Sequence, residues 1–222
     1  MLTNKFKINY SIGSVANGIK TDSFTFFLLF FYSNIIGLNP GLAGSAIFIA
    51  LCIDAVTDPL MGTISDRTST SLGRRHPYMM ISFIPMSLGY IFLFAPRQDW
   101  DMSQSDLFVW MTIFTVLTRI GMTLFDIPHR AFGGEVTKNY KEQTILMSWR
   151  EMVGWVAGLS NAFLGYGIFF ASTPEYPQGQ LNPDAWFPFA VTGAIFMIIS
   201  VLYSSLSTKD EIKSLSKWSG SI

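Results

Sequence analysis

Apolar runs long enough to cross a bilayer, cut apart by turn formers, decide most of what this chain can fold into. The stretch Phe24 to Tyr32 reads F-T-F-F-L-L-F-F-Y, with almost no polar stripe along it. A helix in a soluble bundle keeps a polar face, so a run of this kind belongs in lipid. A helix crosses the hydrocarbon core with about 20 residues. Six segments fit: 11–36, 41–64, 78–96, 106–128, 148–171 and 186–206. The G-L-N-P-G run at 37–41, Pro96, and the loop with Pro174, Pro177 and Pro183 separate them, as residues that break regular structure do. The expected fold is an all-α membrane protein, a six-helix transmembrane bundle over 1–206 followed by a cytoplasmic loop at 207–222.

Charge bounds the function classes. Only 14% of residues are charged and the formal net charge is zero, against about 25% charged in an average soluble domain. No basic excess is left to bind nucleic acid. The single Cys52 lies in an apolar run, which excludes a disulfide framework or a cysteine-based zinc site. Lys5 and Lys7 precede the first span with no small-residue cleavage site. That fits a cytoplasmic lead-in to a retained helix rather than a signal peptide. Basic residues in the connections set orientation. Lys5, Lys7, Arg67, Arg74, Arg75, Arg130, Lys138, Lys141, Lys209, Lys213 and Lys217 fall on one side, and only Arg97 on the other. Both termini are therefore expected in the cytoplasm of a cell (inner) membrane protein, with the 172–185 loop outside.

The remaining charges sit inside spans. Asp54 and Asp58 interrupt the second, where an ionised carboxylate costs about 2.5–3.5 kcal/mol on insertion scales. Four residues apart, they share one helix face with Cβ atoms roughly 5–6 Å apart. Like charges that close resist joint ionisation, so the pair is expected to hold a proton or a metal cation. Lys20 and Asp22 lie in the first span, Arg119 and Asp126 in the fourth, Arg150 and Glu151 at the start of the fifth, while the third and sixth have none. Matching of spans one with four, two with five and three with six is the pattern of two inverted three-helix repeats around a midplane site. The bland reading is mutual neutralisation, for which Arg119 is well suited, with Glu151 at the headgroup boundary. Trp100, Trp110 and Trp186 sit near predicted span ends as interfacial anchors. Gly154 and Gly158 form a G-x-x-x-G pattern suited to close helix packing.

Enzyme signatures are missing. His76 and His129, both expected near the cytoplasmic surface, are far apart in sequence. No serine occupies a G-x-S-x-G elbow, and no P-loop pattern suggests ATP-driven transport. No cofactor is expected.

The run from Asp54 to Tyr78, D-A-V-T-D-P-L-M-G-T-I-S-D-R-T-S-T-S-L-G-R-R-H-P-Y, resembles the second helix and following loop of the glycoside–pentoside–hexuronide:cation symporter family. That melibiose permease-like family belongs to the major facilitator superfamily. D-I-P-H-R-A at 126–131, E-V-T-K-N-Y-K-E-Q-T at 135–144 and W-R at 149–150 are similar to the family as well. The resemblance implies twelve spans in two halves, with this chain as the amino-terminal half of a cation-coupled symporter working by alternating access.

By the same resemblance, Asp54, Thr57, Asp58 and Thr123 match the cation site, for sodium or a proton, with lithium as a further option. Asp126 and Arg150 match the sugar-binding acid and base. Gly62, Asp66 and Arg67, followed by Arg74 and Arg75, are similar to the superfamily's cytoplasmic gating motif. Two departures stand out. Gly18 occupies the place of a sugar-binding Asp, with Asp22 one turn later and Lys20 nearby. Arg130 replaces a Trp near the sugar, and with Lys20 it suits an anionic solute such as a hexuronate.

The expected partners are a sugar or sugar-acid-like solute, a monovalent cation, the lipid bilayer and a carboxy-terminal six-helix half. A lipid or amphiphile carrier on the same scaffold competes with this reading. So does a stand-alone six-helix binding or regulatory subunit.

Overall fold

A computed structural model describes residues 2–209, so Lys213, Lys217 and most of the expected 207–222 loop lie outside the described residues. Every regular element among the described residues is helical. In chain order these are α1 (Asn4–Ile12), α2 (Ser14–Asp22), α3 (Leu28–Phe30), α4 (Pro40–Arg67), α5 (His76–Ile81), α6 (Phe83–Leu93), α7 (Gln104–Glu135), α8 (Tyr140–Leu164) and α9 (Trp186–Ser207). A wider π-helical turn at Ser23–Phe27 joins α2 to α3 in one nearly continuous rod, a second at Phe31–Ile36 extends that rod, and a third extends α8 to Phe169.

Among the described residues, four stretches are long and apolar enough to cross a membrane: Pro40–Arg67, Gln104–Glu135, Tyr140–Phe169 and Pro183–Ser207. The other two expected spans are assembled from shorter pieces. The first breaks at Gly13 and at its π-helical turns, and the third breaks at Ser82 between α5 and α6.

Local chemistry explains the long helices. Asn39 caps α4 by accepting from the Gly41 N–H, with Pro40 in the first turn, where its missing N–H costs nothing. Ser103 and Asp106 form a reciprocal capping box at the start of α7. Asn139 caps α8 through the Glu142 N–H. α7 runs on to Glu135 past the expected span end at 128, although Pro128 lies within it. An internal proline removes one backbone bond and kinks a helix without always ending it.

Packing is arranged in two trios. α7 lies between α4 and α6, α2 lies between α8 and α9, and α6 against α9 joins them. One end is filled by aromatic rings: Phe27, Phe31, Phe94, Phe170 and Phe189 surround Trp186. Trp186 is fully buried, which corrects its expected role as an interfacial anchor. The π-helical rod of residues 23–36 and Phe170 close over it.

At the other end, the Tyr10 ring stacks on His129 with centroids 4.1 Å apart. His129 Nε2 also lies 3.1 Å from the Tyr10 carbonyl. Both histidines are buried, and Phe6 and Tyr10 of α1 pack on Phe132 and His129 of α7. The expected glycine packing is present between α2 and α8. A Cβ on Gly18 would sit 2.0 Å from the Gly154 carbonyl oxygen, so the two backbones touch and no side chain fits there.

Candidate functional site

The polar residues of α4 and α7 face one another across a seam. On α7, Arg119, Thr123 and Asp126 follow helical spacing and share a face. Thr123 Oγ1 donates to Asp58 Oδ1 at 2.7 Å. Arg119 Nη1 donates to Asp54 Oδ2, and both side chains are mostly buried. The basic partner of Asp54 thus comes from α7, the next long helix. Asp54 Oδ1 and Thr57 Oγ1 are buried with no hydrogen-bond partner among the described residues. Asp54, Asp58, Arg119 and Thr123 border a cavity of about 70 Å³, together with Asn17, Lys20, Met122, Asp126 and Ile127.

Asp126 links this cavity to a second cluster. Its Oδ2 accepts from Arg130 Nε at 2.7 Å, and its Oδ1 accepts from Arg150 Nη2. Arg150 Nη1 donates to Glu151 Oε1 at 2.5 Å, and Arg130 Nη2 lies 3.9 Å from the same oxygen. The four side chains close a ring of alternating sign. Glu151 is therefore part of an ion-pair network rather than a lone boundary residue. Arg150 is only 1% exposed and Arg130 is half exposed. Taken together, Lys20, Arg119, Arg130 and Arg150 balance Asp54, Asp58, Asp126 and Glu151, four bases to four acids.

The residues expected to bind solute do not all converge. Lys20 borders the small polar cavity. Asp22 points into a separate groove of about 290 Å³ between α2 and α8, with Asn17, Thr21, Thr25, Trp155 and Leu159 among its walls. Asn161 Nδ2 donates to Asp22 Oδ2 at 3.0 Å and to Ser23 Oγ at 3.2 Å. Asn161 escaped the sequence reading because an isolated amide on a helix gives no motif. Its pairing depends on the α2–α8 contact.

The expected gating residues are partly joined. Arg75 Nη2 donates to Asp66 Oδ1 and to Glu135 Oε1, each at 2.9 Å, and Arg74 Nη2 donates to Glu135 at 2.7 Å. α4, the loop and the end of α7 are tied by these bonds. Arg67 is exposed and forms no ion pair among the described residues. Gly62 has open space around it, with Ile127 Cγ2 at 3.8 Å from an added Cβ. Gly73 has φ of 80°, a left-handed conformation that favours glycine, and it turns the chain so that Arg74 and Arg75 reach back to α7. Glu135 was missed because α5, α6 and the length of α7 separate it from Asp66 in sequence. Close by, His76 sits edge-on to Phe132 at 4.8 Å, and burial pushes its imidazole down to about 4 from 6.5.

Among the described residues, no group of three or more His, Cys, Asp or Glu side chains forms a metal cluster. Any cation here would rest on a mixture of carboxylate and hydroxyl oxygens.

Known proteins share this sequence over most of its length. An uncharacterized symporter from Synechocystis is 30% identical over 210 residues, covering 93% of this chain and 38% of that protein. The putative glycoside/cation symporter YagG of Escherichia coli is 30% identical over 206 residues, covering 79% of this chain and 44% of YagG. A sodium-dependent lysophosphatidylcholine symporter of Danio rerio is 30% identical over 179 residues, covering 78% of this chain and 32% of that protein. The chain thus spans less than half the length of these relatives. The family model described as MFS/sugar transport protein matches residues 9–219. Apolar helices of spanning length and this match make the chain a multi-pass membrane protein. It belongs to the MFS/sugar transport protein family.

Proposed function

We propose that this chain is the amino-terminal half of a cation-coupled symporter for a small sugar or sugar-acid-like solute. Six helical segments cross the membrane in this reading, α2–α3 and α5–α6 included, with both termini in the cytoplasm. The two trios support paired repeats: α7 with α4 and α6 corresponds to α2 with α8 and α9. Alternating access then comes from rocking this bundle against a second one. The observation that carries the reading is the polar face of α7, where Thr123 meets Asp58 of α4 and Asp126 meets Arg150 of α8. Intramembrane ionisable groups of this kind mark ion and solute pathways.

The solute is assigned to the ring of Asp126, Arg130, Arg150 and Glu151, with Lys20 at its edge. A carboxylate accepts from sugar hydroxyls, and guanidinium groups donate in fixed geometry. Asp22, set apart in its groove, serves a different part of the path. Asp66, Arg74, Arg75 and Glu135 close the cytoplasmic side, with Gly62 and Arg67 flanking them.

Uptake of a panel of radiolabelled sugars and sugar acids by the full-length protein, under imposed sodium or proton gradients, tests the proposal. Asp58→Asn should cut the cation-stimulated part at least about tenfold. Undiminished stimulation in that variant would refute the cation assignment.

A second reading has its own observation. The groove along α2 and α8 has an apolar wall of Phe26, Trp155 and Leu159, suited to an acyl chain, and the Danio rerio relative is named for a lysolipid. Competition between sugars and lysolipids in the same uptake assay separates the two.

A further inference from the structure

Asp54 is held by a cation that belongs to the chain itself. Arg119 reaches across from α7, and the pair lies at 13% and 22% side-chain exposure. Its guanidinium carbon rests 5.4 Å from the centre of the Phe24 ring, a favourable seat for a cation. The contact nevertheless leaves the seam unfinished. Asp54 Oδ1, Thr57 Oγ1 and Arg119 Nε are all buried without a hydrogen-bond partner among the described residues. Buried polar groups of folded proteins are nearly always satisfied, so each exception calls for an explanation. Three orphaned atoms at one ion pair point to a site that has two occupants at different times.

We propose that Arg119 is a tethered competitor for the coupling cation: it occupies Asp54 when the site holds no ion, and a small monovalent metal ion binds by displacing it. Asp54, Thr57, Asp58 and Thr123 then offer oxygens to the ion, and the displaced guanidinium moves into the cavity it already borders with Lys20 and Asp126. This rests on the cation reading of α4 given above. Charge accounts for both states. With Arg119 on Asp54, that carboxylate keeps a positive partner while the carrier reorients empty. An added ion leaves one positive charge in excess, beside Lys20 and the freed Arg119. An anionic solute restores the balance, so each ligand strengthens the other's binding.

The test is a sodium titration, and a parallel lithium titration, of the purified full-length protein at constant ionic strength made up with choline. Thermal stability reports the half-saturating concentration. Arg119→Gln should lower the sodium midpoint at least about tenfold, because the ion no longer competes with a tethered charge. The same variant should be less stable than wild type in choline and recover in sodium. Arg119→Lys, which keeps the charge but loses the planar fork, should fall between the two. Equal midpoints for all three proteins would overturn the proposal, as would loss of the sodium response in Arg119→Gln. If Arg119→Gln is not recovered in either salt, an unchanged midpoint in Arg119→Lys overturns it alone. Wild-type uptake that no cation stimulates would sink the symport reading instead, so the two failures are distinct.

Discussion

Asp126 carries two arginines that differ in burial, and the difference sets what each is worth. Arg150 is 1% exposed and Arg130 is 50% exposed. Removing one partner of a buried ion pair costs about 3–5 kcal/mol, because the other charge stays behind uncompensated. An exposed pair is worth at most about 1 kcal/mol. Arg150→Ala should therefore lower the thermal midpoint of the purified protein far more than Arg130→Ala. Equal losses would contradict the burial argument. His76 makes a pH prediction. Its imidazole is held at about 4, against 6.5 when unfolded, so the unfolded chain takes up a proton that the folded chain refuses. The stability present above pH 6.5 is lost as pH falls toward 4, by up to about 3 kcal/mol. His76→Gln should flatten that part of the stability profile; an unchanged slope would rule this histidine out. Among single residues, acids and bases in apolar runs were legible in the sequence, since nothing else explains a charge there. Their partners were not. Arg119 with Asp54, Asn161 with Asp22 and Glu135 with Arg75 are pairings between helices, and residue spacing within one helix carries no information about them.

Helix contacts place these residues, and Gly18 shows how tightly. The family resemblance puts an acid at that position, yet the α8 backbone at Gly154 occupies the space. Overpacking a close helix contact costs about 1–3 kcal/mol or more. Gly18→Asp should therefore destabilise the protein by about 3 kcal/mol, read as a drop in thermal midpoint, without creating a second solute-binding acid. A stable Gly18→Asp protein with tighter solute binding would show that α2 and α8 separate more freely than they do here. Apolar runs located the long helices, whereas their ends depended on caps. Asn139 starts α8 well before the expected 148, and Pro128 lies within α7 without ending it. The π-helical turns around α3 were not legible, because F-T-F-F-L-L-F-F-Y is equally apolar in any helical register. The register was settled by how the rings of Phe27 and Phe31 pack on Trp186.

At the scale of the whole molecule, two trios of helices carry a network of paired acids and bases, and large apolar side chains face outward. Phe48, Val56 and Leu60 on α4 and Trp155, Leu159 and Phe163 on α8 are all more than half exposed. Lipid and a second bundle are the proposed neighbours of those faces. In the proposed symport, a cation at Asp54 and Asp58 and a solute at Asp126 and Arg150 communicate across Thr123 and Arg119. Linkage makes that requirement quantitative, because each ligand must change the other's affinity by the same factor. The most direct measurement is equilibrium binding to the full-length protein, taking as solute whichever compound the uptake screen identifies. Solute affinity is measured with and without sodium, and sodium affinity with and without solute. The account predicts equal enhancement factors of about 5–150-fold in wild type and a factor of one in Asp58→Asn. Solute binding in wild type that is indifferent to sodium, lithium and protons alike would contradict it.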